Sequence, residues 1–64
     1  MPEERPVSAR SYGQMKPFNQ GFTSYMQGAW NSEIPDENPY SEDSFEAEEW
    51  NRGNQRAMFS VIDT

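Results

Sequence analysis

Phe18, Phe22, Tyr25, Met26, Ala29 and Trp30 recur at steps of three and four, counted from one or another of their number, the spacing that puts side chains on one face of an α-helix. A helix over about residues 17–30 is predicted, opening on Pro17, whose missing N–H would have no helical partner in the first turn. Gly21 and Gly28 each cost about 1 kcal/mol relative to Ala inside such a helix. They fit if a second helix or a partner must approach the backbone closely; otherwise Gly28 marks fraying near the end. Pro35 and Pro39 then break the chain, and Ile34 and Tyr40 are the residues able to pin this connection to a core. A second periodic segment starts near Ser44 and carries Phe45, Ala47, Trp50, Ala57, Met58, Val61 and Ile62, with Gly53 on the Trp50 and Ala57 side. Its apolar stripe is the narrower, so this helix is expected to be the more exposed one. "FSVID" at 59–63 reads either as a last helical turn or as a short extended tail. Residues 1–15 hold Pro2, Pro6 and Gly13 without sustained periodicity and read as a disordered or loosely attached arm. The expected fold is all-α: a two-helix hairpin over 16–64, joined by an ordered turn containing Pro39 and Tyr40, with a flexible N-terminal arm.

The start of the second helix has several candidate caps. Asp43 with Glu46 three residues on resembles a capping box, and Ser41 and Ser44 compete for the same role. Glu46, Glu48 and Glu49 lie in the first two turns, where the positive end of the helix dipole favours them, while Arg52 and Arg56 come later. Glu48 and Arg52 are also spaced as an i,i+4 ion pair. This charge order is explained locally, without any function.

Composition narrows the chemistry. The 64 residues include 33% hydrophobic positions and no cysteine or histidine, so disulfides, thiolate ligands and imidazole bases are absent and the buried core must be small. Catalytic residues, cofactors and metals are not expected. "DENPYSED" begins like a calcium loop with Asp36 and Asn38, but the fifth place is Tyr40 and the required glycine is missing. Glu42 with Glu46, or Glu46 with Glu49, share a helix face, yet acid–base catalysis needs one member shielded in a pocket. They read as solvated. No apolar run is long enough to span a bilayer and the first ten residues lack a signal-peptide core, which makes the cytoplasm the expected location.

The net charge of −6 is unevenly spread: Glu33, Asp36, Glu37, Glu42, Asp43, Glu46, Glu48 and Glu49 lie between Asn31 and Trp50 with no basic residue among them, and the rest of the chain carries +2. A field of this sign repels phosphates and favours a basic protein surface. The plain alternative is that the carboxylates keep a small chain soluble. The aromatic face could stack bases, but base-stacking sites come with a positive groove, and the sign here is wrong. Trp30 and Trp50 each bring an indole N–H that needs a partner; buried, they anchor the helices, and exposed, they are interface candidates.

"GFTSYMQG" at 21–28, "NPY" at 38–40 and "WNRGNQRAM" at 50–58 resemble the ribosome modulation factor family and its small relatives in bacteria and phages. The matching positions are Gly21, Phe22, Gly28, Pro39, Tyr40, Trp50, Gly53, Ala57 and Met58. The resemblance implies two helices joined by an ordered turn, and a factor that binds the small ribosomal subunit and promotes its hibernation. Asn38 stands where better-known members have cysteine, Asn54 and Gln55 where they have an aromatic and an arginine, and the turn is acidic where the RNA-binding members are basic. The expectation of fold carries over without that of RNA contact.

The leading functional expectation is therefore a small acidic regulator or inhibitor, of the sort a phage encodes, that docks on a basic surface of a larger host protein. Mimicry of a nucleic acid is a special case. Its partner-binding residues would be Trp30, Glu33, Asp36, Glu37, Tyr40, Glu42, Asp43, Phe45, Glu46, Glu49 and Trp50. One alternative is a ribosome-associated modulator of translation acting through Lys16, Arg52, Arg56 and the N-terminal arginines. Another is a structural component whose helices fill a groove in a larger assembly. Direct nucleic-acid binding and membrane insertion are not expected, and self-association is a further way to cover the aromatic face.

Overall fold

A computed structural model describes residues 7–28 and 30–62. The chain is all-α, with α1 (Ala9–Gln14), α2 (Pro17–Gln27) and α3 (Phe45–Ile62). The two longer helices pack against each other, the connecting turn folds over one side of them, and α1 adds a short N-terminal element. "FSVI" continues α3 as helix to Ile62, and Ala29 of the expected first helix lies outside the described residues.

Small side chains decide how α2 meets α3. A Cβ on Gly21 would overlap the Trp50 carbonyl oxygen and come within 3.0 Å of the Asn54 nitrogen. A Cβ on Gly53 would overlap the Phe18 carbonyl oxygen and come within 3.0 Å of the Phe22 nitrogen. Each helix thus lays a glycine against the other's backbone. No described glycine has a positive φ, so what these two supply is the missing side chain rather than an unusual conformation. The Asn54 Nδ2 donates to the Gly21 carbonyl at 3.1 Å and ties the crossing with a hydrogen bond.

This close approach decides which face of α2 turns inward, and it is not the aromatic one. The buried residues of α2 are Gln20, Gly21 and Ser24, whereas Phe18, Tyr25, Met26 and Trp30 are exposed. Rings cannot enter a contact made by backbone against backbone, so those of Phe18, Tyr25 and Trp30 are displaced outward, while Phe22 stays half-buried. On α3 the buried residues are Ala47, Trp50, Gly53 and Ala57, again mostly small, and Trp50 is the large one among them.

The polar residues placed inside are all satisfied, as burial requires. Trp50 Nε1 donates to the Tyr12 hydroxyl at 3.0 Å. Gln20 Nε2 donates to the Tyr12 carbonyl at 2.9 Å, and Gln20 Oε1 accepts from the Tyr40 hydroxyl. One chain of hydrogen bonds therefore links α1, α2, the turn and α3. Ser24 Oγ donates to the Pro35 carbonyl, which holds the turn over α2 beside the buried Ile34. Among the described residues no buried side-chain nitrogen or oxygen lacks a partner.

The N-terminal segment differs from the loosely attached arm expected for residues 1–15. Ser8 caps α1 by accepting from the Ser11 N–H at 3.1 Å, and Tyr12 is buried. Val7 is fixed on both sides of its peptide: its N–H donates to Gln27 Oε1 at 2.8 Å, and its carbonyl accepts from Asn31 Nδ2 at 2.7 Å. The buried Tyr12, whose hydroxyl serves the Trp50 indole and whose carbonyl serves Gln20, together with the two bonds at Val7 docks a helix of 6 residues. Residues 1–6 of the expected arm lie outside the described residues.

Three glycines give opposite responses to the same change. Gly21→Ala and Gly53→Ala are expected to destabilise by about 1–3 kcal/mol or more, because the helices must separate. Gly13→Ala, with nothing within 4 Å of its Cβ position, is expected to stabilise by about 0.5–1 kcal/mol through helix propensity. Urea denaturation followed by far-UV circular dichroism measures all three. The Tyr12 hydroxyl is held above its ordinary value of 10.0, chiefly by burial, with Tyr40 adding to the rise and the Trp50 hydrogen bond opposing it. Folding thus favours the neutral phenol, a contribution fully present below pH 10.0 and lost as pH climbs through the raised folded value. Tyr12→Phe is expected to lower stability at neutral pH by about 1–3 kcal/mol, since Trp50 Nε1 loses its acceptor, and to remove this part of the alkaline decline in urea midpoint.

Candidate functional site

The turn that carries most of the acidic run is built by asparagines and serines. Asn31 is buried and bonded at both ends of its amide: Nδ2 donates to Val7, and Oδ1 accepts from the Glu33 N–H at 3.1 Å. Asn38 repeats the device: Oδ1 accepts from the Tyr40 N–H at 3.0 Å, and Nδ2 donates to the Ala47 carbonyl at 2.9 Å and to Asn51 Oδ1 at 3.1 Å. An asparagine that closes a turn with its own oxygen while its nitrogen grips a neighbouring helix fixes the loop without any apolar contact. Asn38, Tyr40, Glu42, Ala47 and Asn51 line a shallow open depression of about 410 Å³.

Ser44 caps α3. Its Oγ accepts from the Ala47 N–H at 3.1 Å and donates to the Ser41 carbonyl at 2.7 Å. The cap is therefore Ser44 and not the Asp43–Glu46 box. Glu46 and Glu48 lie in the first turn, where the helix dipole favours them. The Arg52 guanidinium pairs with Glu49 at 3.3 Å instead of the expected Glu48.

These constraints divide the expected partner-binding residues. Trp50 is 4% exposed and supplies core, so it offers no surface in this fold. Tyr40 is half-buried and its hydroxyl is taken by Gln20. Glu49 is partly covered and paired with Arg52. The others face outward: Glu33, Asp36, Glu37, Glu42, Asp43 and Glu46 are exposed along the turn and the first turn of α3, as are Trp30 and Phe45. Trp30, 59% exposed, donates its indole N–H to the Met26 carbonyl at 3.2 Å. Its polar atom is satisfied while its ring stays open to solvent, and it stands at the point where the chain enters the acidic turn.

Sequence reasoning did not single out Tyr12, Gln20, Ser24 or Asn31, which hold the turn in place. A signal was present in the small-residue spacing of Gly21, Ser24 and Gly28, which marks a helix face of its own. Among the described residues no group of three carboxylates is placed to hold a metal ion, and no helix is long and apolar enough to cross a membrane. No family model, curated protein or solved structure matches the chain.

Separating cap from charge is a direct check of this geometry. Ser44→Ala is expected to cost about 1 kcal/mol, while Asp43→Ala is expected to stay within about 0.5 kcal/mol of the parent. Chemical denaturation at low salt reads both.

Proposed function

We propose that the protein is a small acidic binding module that regulates or inhibits a larger protein by docking on a basic surface. One observation carries this reading: Glu33, Asp36, Glu37, Glu42 and Asp43 are all exposed on a turn whose folding is accounted for by Asn31, Ile34, Asn38, Tyr40 and Ser44. The carboxylates are thus left over once the fold is explained. A fixed turn presents them in one arrangement, which lowers the ordering cost of binding relative to a mobile acidic tail. Complementary charge speeds encounter and selects partners more than it adds affinity, so an anchor is needed beside it. Trp30 is that anchor, with an open ring and a satisfied N–H. Occupation of a site evolved for nucleic-acid phosphates is the inhibitory form of the same chemistry.

A second reading, modulation of the small ribosomal subunit, is favoured by the placement of the residues that carry the resemblance. Of the nine matching positions, Gly21 and Gly53 make the helix contact, Trp50 and Ala57 are buried, and Tyr40 is bonded to Gln20. They support a shared architecture, and the exposed Arg10, Lys16, Arg52 and Arg56 would supply the contacts.

Capture from cell lysate followed by mass spectrometry separates the two. The first reading expects a basic protein in stoichiometric amount, lost with Trp30→Ala; recovery of intact small subunits favours the second. With the captured partner in hand, reversal of Glu33, Asp36, Glu37, Glu42 and Asp43 to lysine is expected to slow association by roughly tenfold or more and to flatten its salt dependence. An association rate unmoved by that reversal contradicts an electrostatic docking surface.

A further inference from the structure

The outward face of α3 carries a second pattern, independent of the acidic turn. Phe45, Glu48, Arg52, Gln55, Phe59 and Ile62 follow at alternating steps of three and four, and all are exposed on the side away from Ala47, Trp50, Gly53 and Ala57. Phe45 is 71%, Phe59 56% and Ile62 70% exposed. This is a heptad seam with apolar ends and a polar middle. We propose that the seam is a homodimer interface in which α3 of one copy packs antiparallel against α3 of a second.

The occupant is specified by the pattern itself. In an antiparallel pair, first-position residues of the heptad meet fourth-position residues of the other helix, so Phe45 lies against Ile62 of the second copy, Arg52 against Gln55, and Phe59 against Glu48. Both ends of the seam close with an apolar pair. The flanking positions are complementary as well. Glu49 lies diagonally across from Arg56 of the second copy, and two-fold symmetry makes that contact twice. In the single chain Arg56 has no ion-pair partner among the described residues.

The antiparallel pair avoids the two like-charged layers of a parallel one, which would set Glu48 on Glu48 and Arg52 on Arg52 in the middle of the seam. The antiparallel arrangement also sends the two acidic turns to opposite ends of a helix that is 18 residues, or about 27 Å, long. That separation exceeds the screening length of about 8 Å at physiological salt. Because α3 is already folded on α2, dimerisation need not order it. The seam is short and its centre polar, which puts it in the class of small, readily reversible interfaces.

Sedimentation equilibrium of the full chain tests this. A monomer–dimer equilibrium with a dissociation constant in roughly the micromolar to millimolar range is expected for an interface of this class. Phe59→Glu is expected to weaken it at least about tenfold while leaving the helical circular dichroism unchanged. Glu49→Arg alone is expected to weaken it, and Glu49→Arg combined with Arg56→Glu to restore it. Orientation is read by mixing Phe45→Cys with Ile62→Cys chains under oxidation, which is clean because the chain has no cysteine. Disulfides joining the two different variants support the antiparallel seam. A chain that stays monomeric to about 1 mM, a dimer indifferent to Phe59→Glu, or disulfides formed chiefly between two Phe45→Cys chains would each overturn it.

Discussion

Two glycines that face each other's backbones, Gly21 on α2 and Gly53 on α3, set the separation of the helices, and the rest of the chain is arranged around that separation. With no side chain between them at that point, the two helices bury mostly small residues, Ser24 on α2 and Ala47 and Ala57 on α3, together with Gln20. Large side chains must go elsewhere. Trp50 finds space on the side covered by α1 and the turn, and Phe18, Tyr25 and Met26 go to the flanks of α2.

A crossing this tight buries little apolar surface, and hydrogen bonding does much of the remaining work of specification. Trp50, Tyr12, Gln20 and Tyr40 form one connected set in which each member satisfies another. Loss of any one leaves a buried polar atom without a partner, which is costly at low dielectric. The set also explains why four separate parts of the chain fold as one unit. Ser24 to Pro35 and Asn38 to Ala47 then fix the turn from its two ends, so the acidic surface is held by side chains that are not themselves acidic.

The helices and their connection were legible from Pro17, Ser44 and the Pro35 and Pro39 breaks, because caps and breakers act locally. Which face of α2 goes inside was not. The aromatic spacing from Phe18 to Trp30 has the right period, but a face of Gln20, Gly21 and Ser24 scores as polar in any apolar pattern, although glycine and serine are what a close crossing needs. Gly21 and Gly28 are tolerable in a helix where a second helix comes near, and for Gly21 that is what the fold uses. The docking of α1 depended on Tyr12 meeting Trp50 across 38 positions of sequence, a contact that no local pattern contains. On the acidic surface the turn carboxylates were legible as exposed residues, whereas Trp30 was open to either burial or exposure, Phe45 stood on the apolar stripe of α3 and is instead 71% exposed, and the burial of Trp50 depended on that same long-range partner.

The fold assigns the large residues to two kinds of task. Trp50, Tyr12 and Ile34 stabilise the interior, whereas Trp30, Phe45, Phe59 and Ile62 stand outside it and are free to meet other surfaces. That assignment rests on small residues making the α2–α3 contact. Nuclear Overhauser contacts across the helices test it most directly. Cross-peaks are expected from the Gly21 Hα protons to the backbone protons of Trp50 and Asn54, and from the Gly53 Hα protons to those of Phe18 and Phe22. If those are missing and the rings of Phe18, Tyr25 and Trp30 instead show contacts to Ala47 and Ala57, the aromatic face is the core and the account is contradicted.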